Sequence, residues 1–150
     1  MKKFFSIATI SGTWPNQVLE AACGRLVGPA SACFTDGATY TDTFFGSHTG
    51  HAAQRVMFGR MFREGRDYRW RMETVVEDAC HAAAEWTFGY VVTDAVPRSA
   101  GRRVQFRGMS LFVLAGDRIA HYREYFDEGL ALLQLGFAPD AVAKVLRKRL

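Results

Sequence analysis

Residues 104–126, VQFRGMSLFVLAGDRIAHYREYF, decide how this chain folds. From Val104 to Ala115, Phe106, Gly108, Ser110, Phe112 and Leu114 fall on alternate positions, the period of a β-strand with one buried face. Gly116-Asp117 reads as a hairpin turn, and Arg118 to Phe126 as the strand that returns from it. On that return strand Tyr122 and Glu124 share a face, and His121 takes the opposite, outer one.

Two more strands precede this hairpin. In residues 68–77, Tyr68, Trp70, Met72, Thr74 and Val76 alternate with Arg69, Arg71, Glu73, Val75 and Glu77. In residues 85–93, Trp86, Phe88, Tyr90 and Val92 share a face opposite Glu85, Thr87, Gly89, Val91 and Thr93. Asp94 to Gly101, with Pro97, is the connecting loop. Upstream, Thr13 to Val27 reads as a helix with Pro15 in its first turn and Val18, Leu19, Ala22 and Leu26 as its apolar stripe. Gly28-Pro29 is expected to end it, and a helical turn to follow from Ala30 to Phe34. Asp36-Gly37 reads as a turn, Ala38 to Asp42 as a short strand, and Phe45-Gly46-Ser47-His48 as a loop. Thr49 to Arg63 reads as a long helix with Val56, Met57, Arg60 and Met61 at helical spacing, stopped by Gly65. A helix beginning near Asp127 carries Leu130, Leu133 and Leu135 up to Gly136, and Pro139 opens a helical tail over residues 138–150.

Helices followed by a run of long antiparallel strands define an α+β class. The strands carry an aromatic face that needs cover, and the early helices can supply it. The expected architecture is a cone-shaped half-barrel of strongly curved antiparallel sheet wrapped around N-terminal helices, with a ligand pocket at its mouth. No repeat, low-complexity stretch or linker divides residues 1–150, so a single domain is expected.

Composition narrows the function. Apolar residues make up 49% and charged residues 23%, a globular balance, and 12 Phe, 5 Tyr and 3 Trp serve a core or a pocket wall equally well. The net charge is +4, concentrated in Lys144, Arg147, Lys148 and Arg149. No basic stripe interleaved with aromatics accompanies it, so no nucleic-acid partner is expected. No window approaches the ~20 apolar residues of a membrane span, so no membrane partner is expected. The stretch after Met1-Lys2-Lys3-Phe4-Phe5 is interrupted by Ser6, Thr9, Ser11 and Gly12, and Cys23, Cys33 and Cys80 form no disulfide framework. Both features point to a cytoplasmic protein. There is no phosphate loop or dinucleotide fingerprint, and His48-x-x-His51 lacks a third ligand, so neither cofactor nor metal is expected.

Three places resemble the nuclear transport factor 2-like superfamily, in particular its SnoaL-like branch, over roughly residues 34 to 137. These are Ala38-Thr39-Tyr40-Thr41-Asp42 with Phe45-Gly46, the helix start Gly50-His51-Ala52-Ala53, and the hairpin from Gly108 through Arg118-Ile119 to Tyr122-Arg123-Glu124-Tyr125-Phe126-Asp127. Residues 1–33 match poorly. The superfamily includes epoxide hydrolases, ketosteroid isomerases, polyketide cyclases and non-enzymatic binding proteins, so the site must decide the activity.

The resemblance gives Asp42 the place of the isomerases' proton-moving base. Ser110 stands where those enzymes keep the acid that stabilises an enolate. In limonene-epoxide-hydrolase-like members, Glu124 matches the aspartate that activates water and Tyr40 matches a tyrosine that holds it. The Arg-x-Asp pair of those enzymes has no arginine to match it in residues 85–93. From the residues alone, Asp42 is either a general base in an apolar pocket or a cap for the turn after it. Glu124 is either a pocket carboxylate or the ion-pair partner of an arginine. Trp70, Trp86, Phe88, Tyr90, Phe106 and Tyr122 are wall candidates, with plain core as the alternative, favoured for Phe88 and Phe106.

Two functions fit these readings. One is a cofactor-independent enzyme for proton transfer, cyclisation or water addition on a small apolar or aromatic molecule. Its catalytic residues would be Asp42, Glu124 and Tyr40, with Trp70, Trp86, Tyr90, Phe106, Ser110 and Tyr122 binding substrate. The other is a non-catalytic binding protein for a lipid-like or aromatic ligand. Arg69, Arg71, Glu73, Glu85 and Arg123 fall on the outer sheet face, where members of the superfamily often pair, so a homodimer through that face is expected.

Overall fold

A computed structural model describes residues 27–150. The helix expected at Thr13 to Val27 lies almost wholly outside the described residues. The elements run α1 (Val27–Ala32), β1 (Phe34–Asp42), β2 (Gly46–Thr49), α2 (Gly50–Glu64), β3 (Gly65–Glu77), β4 (His81–Val92), β5 (Arg103–Ala115), β6 (Arg118–Phe126), α3 (Glu128–Gln134) and α4 (Pro139–Arg147). The six strands form one unclosed sheet in the order β2-β1-β6-β5-β4-β3. The α+β class and the curved sheet agree with the sequence reading.

The topology explains the cone. Strands β2 and β3 are the two edges of the sheet, and α2 is the only element between them in the chain. At 1.5 Å per residue its 15 residues span about 22 Å, so it crosses the concave face. Its inward face is Gln54, Met57, Phe58 and Phe62. Val56, counted on the apolar stripe in the sequence, is 76% exposed. Beneath α2 lie Phe34, Tyr40, Tyr68, Phe112, Ile119 and Tyr122. A second cluster, with Trp86, Val92, Val104, Phe106 and Ala131, packs under α3. Asp127 caps α3 by accepting the Leu130 N–H at 2.9 Å. The buried face of α3 is Ala131 and Leu132, whereas Leu130 and Leu133 are nearly half exposed.

Several local expectations are corrected. Gly28-Pro29 sits inside the first turn of α1, where proline's missing N–H costs nothing. Asp36-Gly37 lies within β1, and an irregularity in the pairing with β6 between Phe34 and Thr39 absorbs it. Residues 46–49 are not loop but β2, paired antiparallel with Thr39 to Asp42. Pairing shifts between Met72 and Thr74, which turns Val75 inward and leaves Val76 62% exposed. The sheet is antiparallel except at one junction: β1 runs parallel to β6, with Tyr40 beside Tyr122 and Thr41 beside Arg123. The site depends on this junction.

Candidate functional site

Side chains recur on one face of a strand every second residue, so the parallel register extends from Tyr40/Tyr122 to Asp42/Glu124 on the concave face. The tyrosine rings stack 4.6 Å apart at 24°. Beyond them Asp42 and Glu124 enter a cavity of about 70 Å³. That volume holds about five waters or one compact organic molecule. Its wall is mainly aromatic. Tyr68 and Tyr90 stack 5.6 Å apart, and Trp70 stands edge-on to both Trp86 and Phe88. Phe106 and Phe126 stack at 4.5 Å, with Phe44 edge-on to both. Met61, Phe45, Gly65 and Glu64 complete the lining.

Sequence reasoning placed Tyr40, Asp42, Glu124, Trp70, Trp86, Tyr90 and Phe106, and all seven line this cavity. Phe88 and Phe106, favoured as plain core, are both part of the wall. Ser110 and Tyr122 stand behind it, 2% and 1% exposed. They act on the cavity through hydrogen bonds. The Trp86 indole N–H donates to Ser110 Oγ at 2.7 Å, Ser110 Oγ lies 2.8 Å from Tyr122 Oη, and the Tyr122 hydroxyl donates to Glu124 Oε2. Indole is a donor only, so with Glu124 ionised the whole relay runs in one direction, Trp86 to Ser110 to Tyr122 to Glu124. Among the described residues no arginine pairs with Glu124. Arg123 and Arg69 are exposed on the outer face, and Arg71 is spent on Glu73 at 2.6 Å.

Sequence reasoning missed Phe44, Phe45, Phe126, Met61, Tyr68 and Glu64 as lining. Phe126 and Tyr68 shared strand parity with residues that were found and could have been read. Phe44 and Phe45 follow a strand end, and no periodicity marks them. Glu64 ends α2 and pairs outward with Arg60 at 2.8 Å.

Electrostatics separates the two central carboxyls. Burial pushes Glu124 from 4.5 up to about 8, the Asp42 charge adds to the rise, and the Tyr122 hydrogen bond opposes it. Burial pushes Asp42 from 3.8 up to about 6. Backbone N–H groups of the following turn and the nearby His48 hold it lower than Glu124. The Phe45 N–H donates to Asp42 Oδ1 at 2.5 Å, so Asp42 caps its turn and faces the cavity at once. Near neutral pH Asp42 is ionised and Glu124 holds its proton. Burial, then the Glu64 charge, raises Tyr90 to about 12, and Tyr40 and Tyr122 lie well above their ordinary value.

The histidines are committed elsewhere. His48 Nε2 lies 2.8 Å from the Phe45 carbonyl, and His51 Nε2 lies 3.0 Å from that of Phe34. Among the described residues no group of three His, Cys, Asp or Glu side chains is placed to hold a metal ion. None of their helices is long and apolar enough to cross a membrane.

A curved sheet closed by a long helix, with a carboxyl pair in an aromatic cavity, defines a cone-shaped α+β protein of the nuclear transport factor 2-like class. The family model for the SnoaL-like domain matches residues 20–122, and the chain belongs to that family. The match begins before α1, further toward the N-terminus than the sequence reading placed the resemblance. A ketosteroid isomerase-like fold protein from Catenulispora acidiphila, solved in complex with trimethylamine, is similar at 17% identity. The similarity covers 86% of this chain and 96% of that one, with a TM-score of 0.75. An LEH-like epoxide hydrolase from M. tuberculosis is 18% identical over 90% of this chain and 93% of its own, with a TM-score of 0.67. A structure from Jannaschia sp. described as SnoaL-like polyketide cyclase is 14% identical over 84% and 91%, with a TM-score of 0.72. Comparison with curated protein sequences gives no match.

Proposed function

We propose that this chain is a cofactor-independent acid–base enzyme acting on a small, largely apolar molecule by proton transfer, cyclisation or water addition. The observation that supports the reading is the carboxyl pair on neighbouring parallel strands, one ionised and one protonated near pH 7. Two titratable groups whose surroundings push them apart can divide the roles of base and acid. Asp42 takes a proton from the substrate or from a water. Glu124 gives one, and the Tyr122 hydrogen bond on Oε2 leaves its other oxygen for the O–H that faces the substrate. Tyr40 and Tyr90 remain phenols and donate hydrogen bonds that orient the reacting atoms. The protonated Glu124 thereby supplies the acid that the sequence lacked, since Ser110 replaces the isomerases' enolate-stabilising acid and residues 85–93 hold no arginine. The similarity to an epoxide hydrolase and a cyclase supports this range of chemistries.

The test is a screen of small cyclic ketones, epoxides and hydroxy-ketones with wild type, Asp42→Asn and Glu124→Gln. The expected kcat/KM profile is bell-shaped, with its acid limb near pH 6 and its alkaline limb near pH 8. Each variant loses the limb of the group it removes and roughly 10²-fold or more in rate. Equal turnover by all three proteins would overturn the roles given to the two carboxyls, and saturable binding without turnover would favour the non-catalytic binding protein.

We extend the proposal to a cytoplasmic homodimer. Met109 and Tyr125 pair on the outer sheet face and are 54% and 63% exposed beside Glu85 and Arg123. Sedimentation of Met109→Glu against wild type tests this: a dimer of wild type is expected to fall to a monomer.

A further inference from the structure

We propose that the cavity selects its ligand by charge, accepting compact alkylammonium cations over neutral molecules of the same shape and rejecting anions. The inference deepens the acid–base reading by naming a substrate class for the same site. It rests on what lines the cavity. Asp42, Glu64 and Glu124 do, and among the described residues no lysine, arginine or histidine does. Between the carboxyls the surface is aromatic, and ring faces attract a cation whose hydration has been stripped away. The volume, about 70 Å³, suits a body the size of a small quaternary ammonium.

A ligand carrying negative charge would need donors aimed at it. Tyr40, Tyr90 and the Glu124 O–H offer only neutral donors, beside two carboxylates, Asp42 and Glu64, that repel an anion, and the other polar groups are spent. The Tyr122 hydroxyl serves Glu124, Ser110 accepts from Trp86, and the Tyr68 hydroxyl donates to the Met61 carbonyl at 2.6 Å. The Trp70 indole N–H has no hydrogen-bond partner among the described residues, but it is shut off from solvent.

The charge count is specific to one positive charge. From β1, Asp42 is ionised at pH 7 and is faced by His48 of β2. From β6, Glu124 keeps its proton beside Asp42 and the phenols of Tyr122 and Tyr40. From α2, Glu64 lies against the Tyr90 phenol of β4 and is neutralised from outside by Arg60. A single negative charge therefore remains inside an aromatic box, and one cation balances it without displacing the Glu124 proton.

The test is titration of the folded chain at pH 7 with tetramethylammonium, tert-butanol and isobutyrate, read from the NMR signals of the Trp70 and Trp86 indole N–H groups. Tetramethylammonium is expected to bind at least about tenfold more tightly than tert-butanol, and isobutyrate not to saturate. Asp42→Asn is expected to bring cation and neutral ligand to within about threefold, while Glu124→Gln keeps the preference because Glu124 is already neutral. At pH 5, with Asp42 about nine-tenths protonated, wild type is expected to bind the cation roughly tenfold less tightly. Equal affinity for the three probes, no saturable binding by any, or an unchanged preference in Asp42→Asn would overturn the inference. Turnover of neutral ketones or epoxides without cation binding overturns this inference and leaves the acid–base reading standing. Cation binding with turnover unaffected in both carboxyl variants has the reverse meaning.

Discussion

Replacing Glu124 by Gln should make the protein more stable, by an amount that grows as pH rises from about 4.5 to about 8. Gln is isosteric and its Oε1 still accepts the Tyr122 hydroxyl, so the relay from Trp86 survives. What disappears is a carboxyl whose folded pKa stands at about 8 against an ordinary 4.5. Between those values the folded chain holds a proton that the unfolded chain releases, so wild-type stability falls by about 1.4 kcal/mol per pH unit. Over the whole interval that amounts to about 5 kcal/mol. Screening at the cavity lowers this, so about 2–5 kcal/mol is expected at pH 9, about two-thirds of that at pH 7 and under about 1 kcal/mol at pH 5. The assay is urea denaturation of both proteins at pH 5, 7 and 9, with the difference in unfolding free energy plotted against pH. A constant difference across that range would show that burial does not raise Glu124, and would remove its role as the acid near neutrality.

Other outcomes follow from the same geometry. Gly108→Ala places a Cβ about 2.4 Å from the Trp86 ring and 2.6 Å from the Tyr125 carbonyl, so a loss of about 1–3 kcal/mol and a shifted tryptophan emission are expected in urea titrations. Ser110→Ala leaves the buried Trp86 N–H without an acceptor and should cost about 1–3 kcal/mol, measured by thermal unfolding. Tyr122→Phe removes the hydrogen bond that holds Glu124 down, so the carboxyl should titrate higher in a ¹³C NMR titration and the alkaline limb should move up. Arg149→Ala releases both the Thr43 carbonyl and the buried Glu128 carboxylate. Amide exchange at residues 43–46, beside Asp42, should speed up roughly tenfold.

Much of the fold was legible because strand alternation is local. Trp86, Phe88 and Tyr90 announce a buried face whatever they pair with, and the alternation in residues 104–126 marks a hairpin at Gly116-Asp117 without knowledge of the rest. The errors arose where local pattern and tertiary demand diverge. The pairing shift after Met72 reverses the faces of Val75 and Val76, and no residue type there signals it. Val56 has the right spacing for the stripe of α2, but the buried face of the helix is set by where β1 lies, and Gln54 goes inside to donate to the Ala38 carbonyl at 2.9 Å. Phe44 and Phe45 reach the cavity because a turn held by Asp42 carries them there.

The sequence by itself determined the strand faces away from the Met72–Thr74 pairing shift, the α+β class and the residue types available to the cavity, since all of these follow from side-chain period and turn chemistry within a few residues. Only the tertiary structure decided what those residues can do together. Asp42 and Glu124 are about 80 residues apart in the chain, and each alone reads as a turn cap or a paired strand residue. The parallel junction of β1 with β6 brings them side by side. The helix across the sheet and the aromatic wall bury both carboxyls, and burial raises each above its ordinary value. Pairing partner and desolvation belong to neighbours distant in sequence, and those neighbours raise two ordinary carboxyls to different extents.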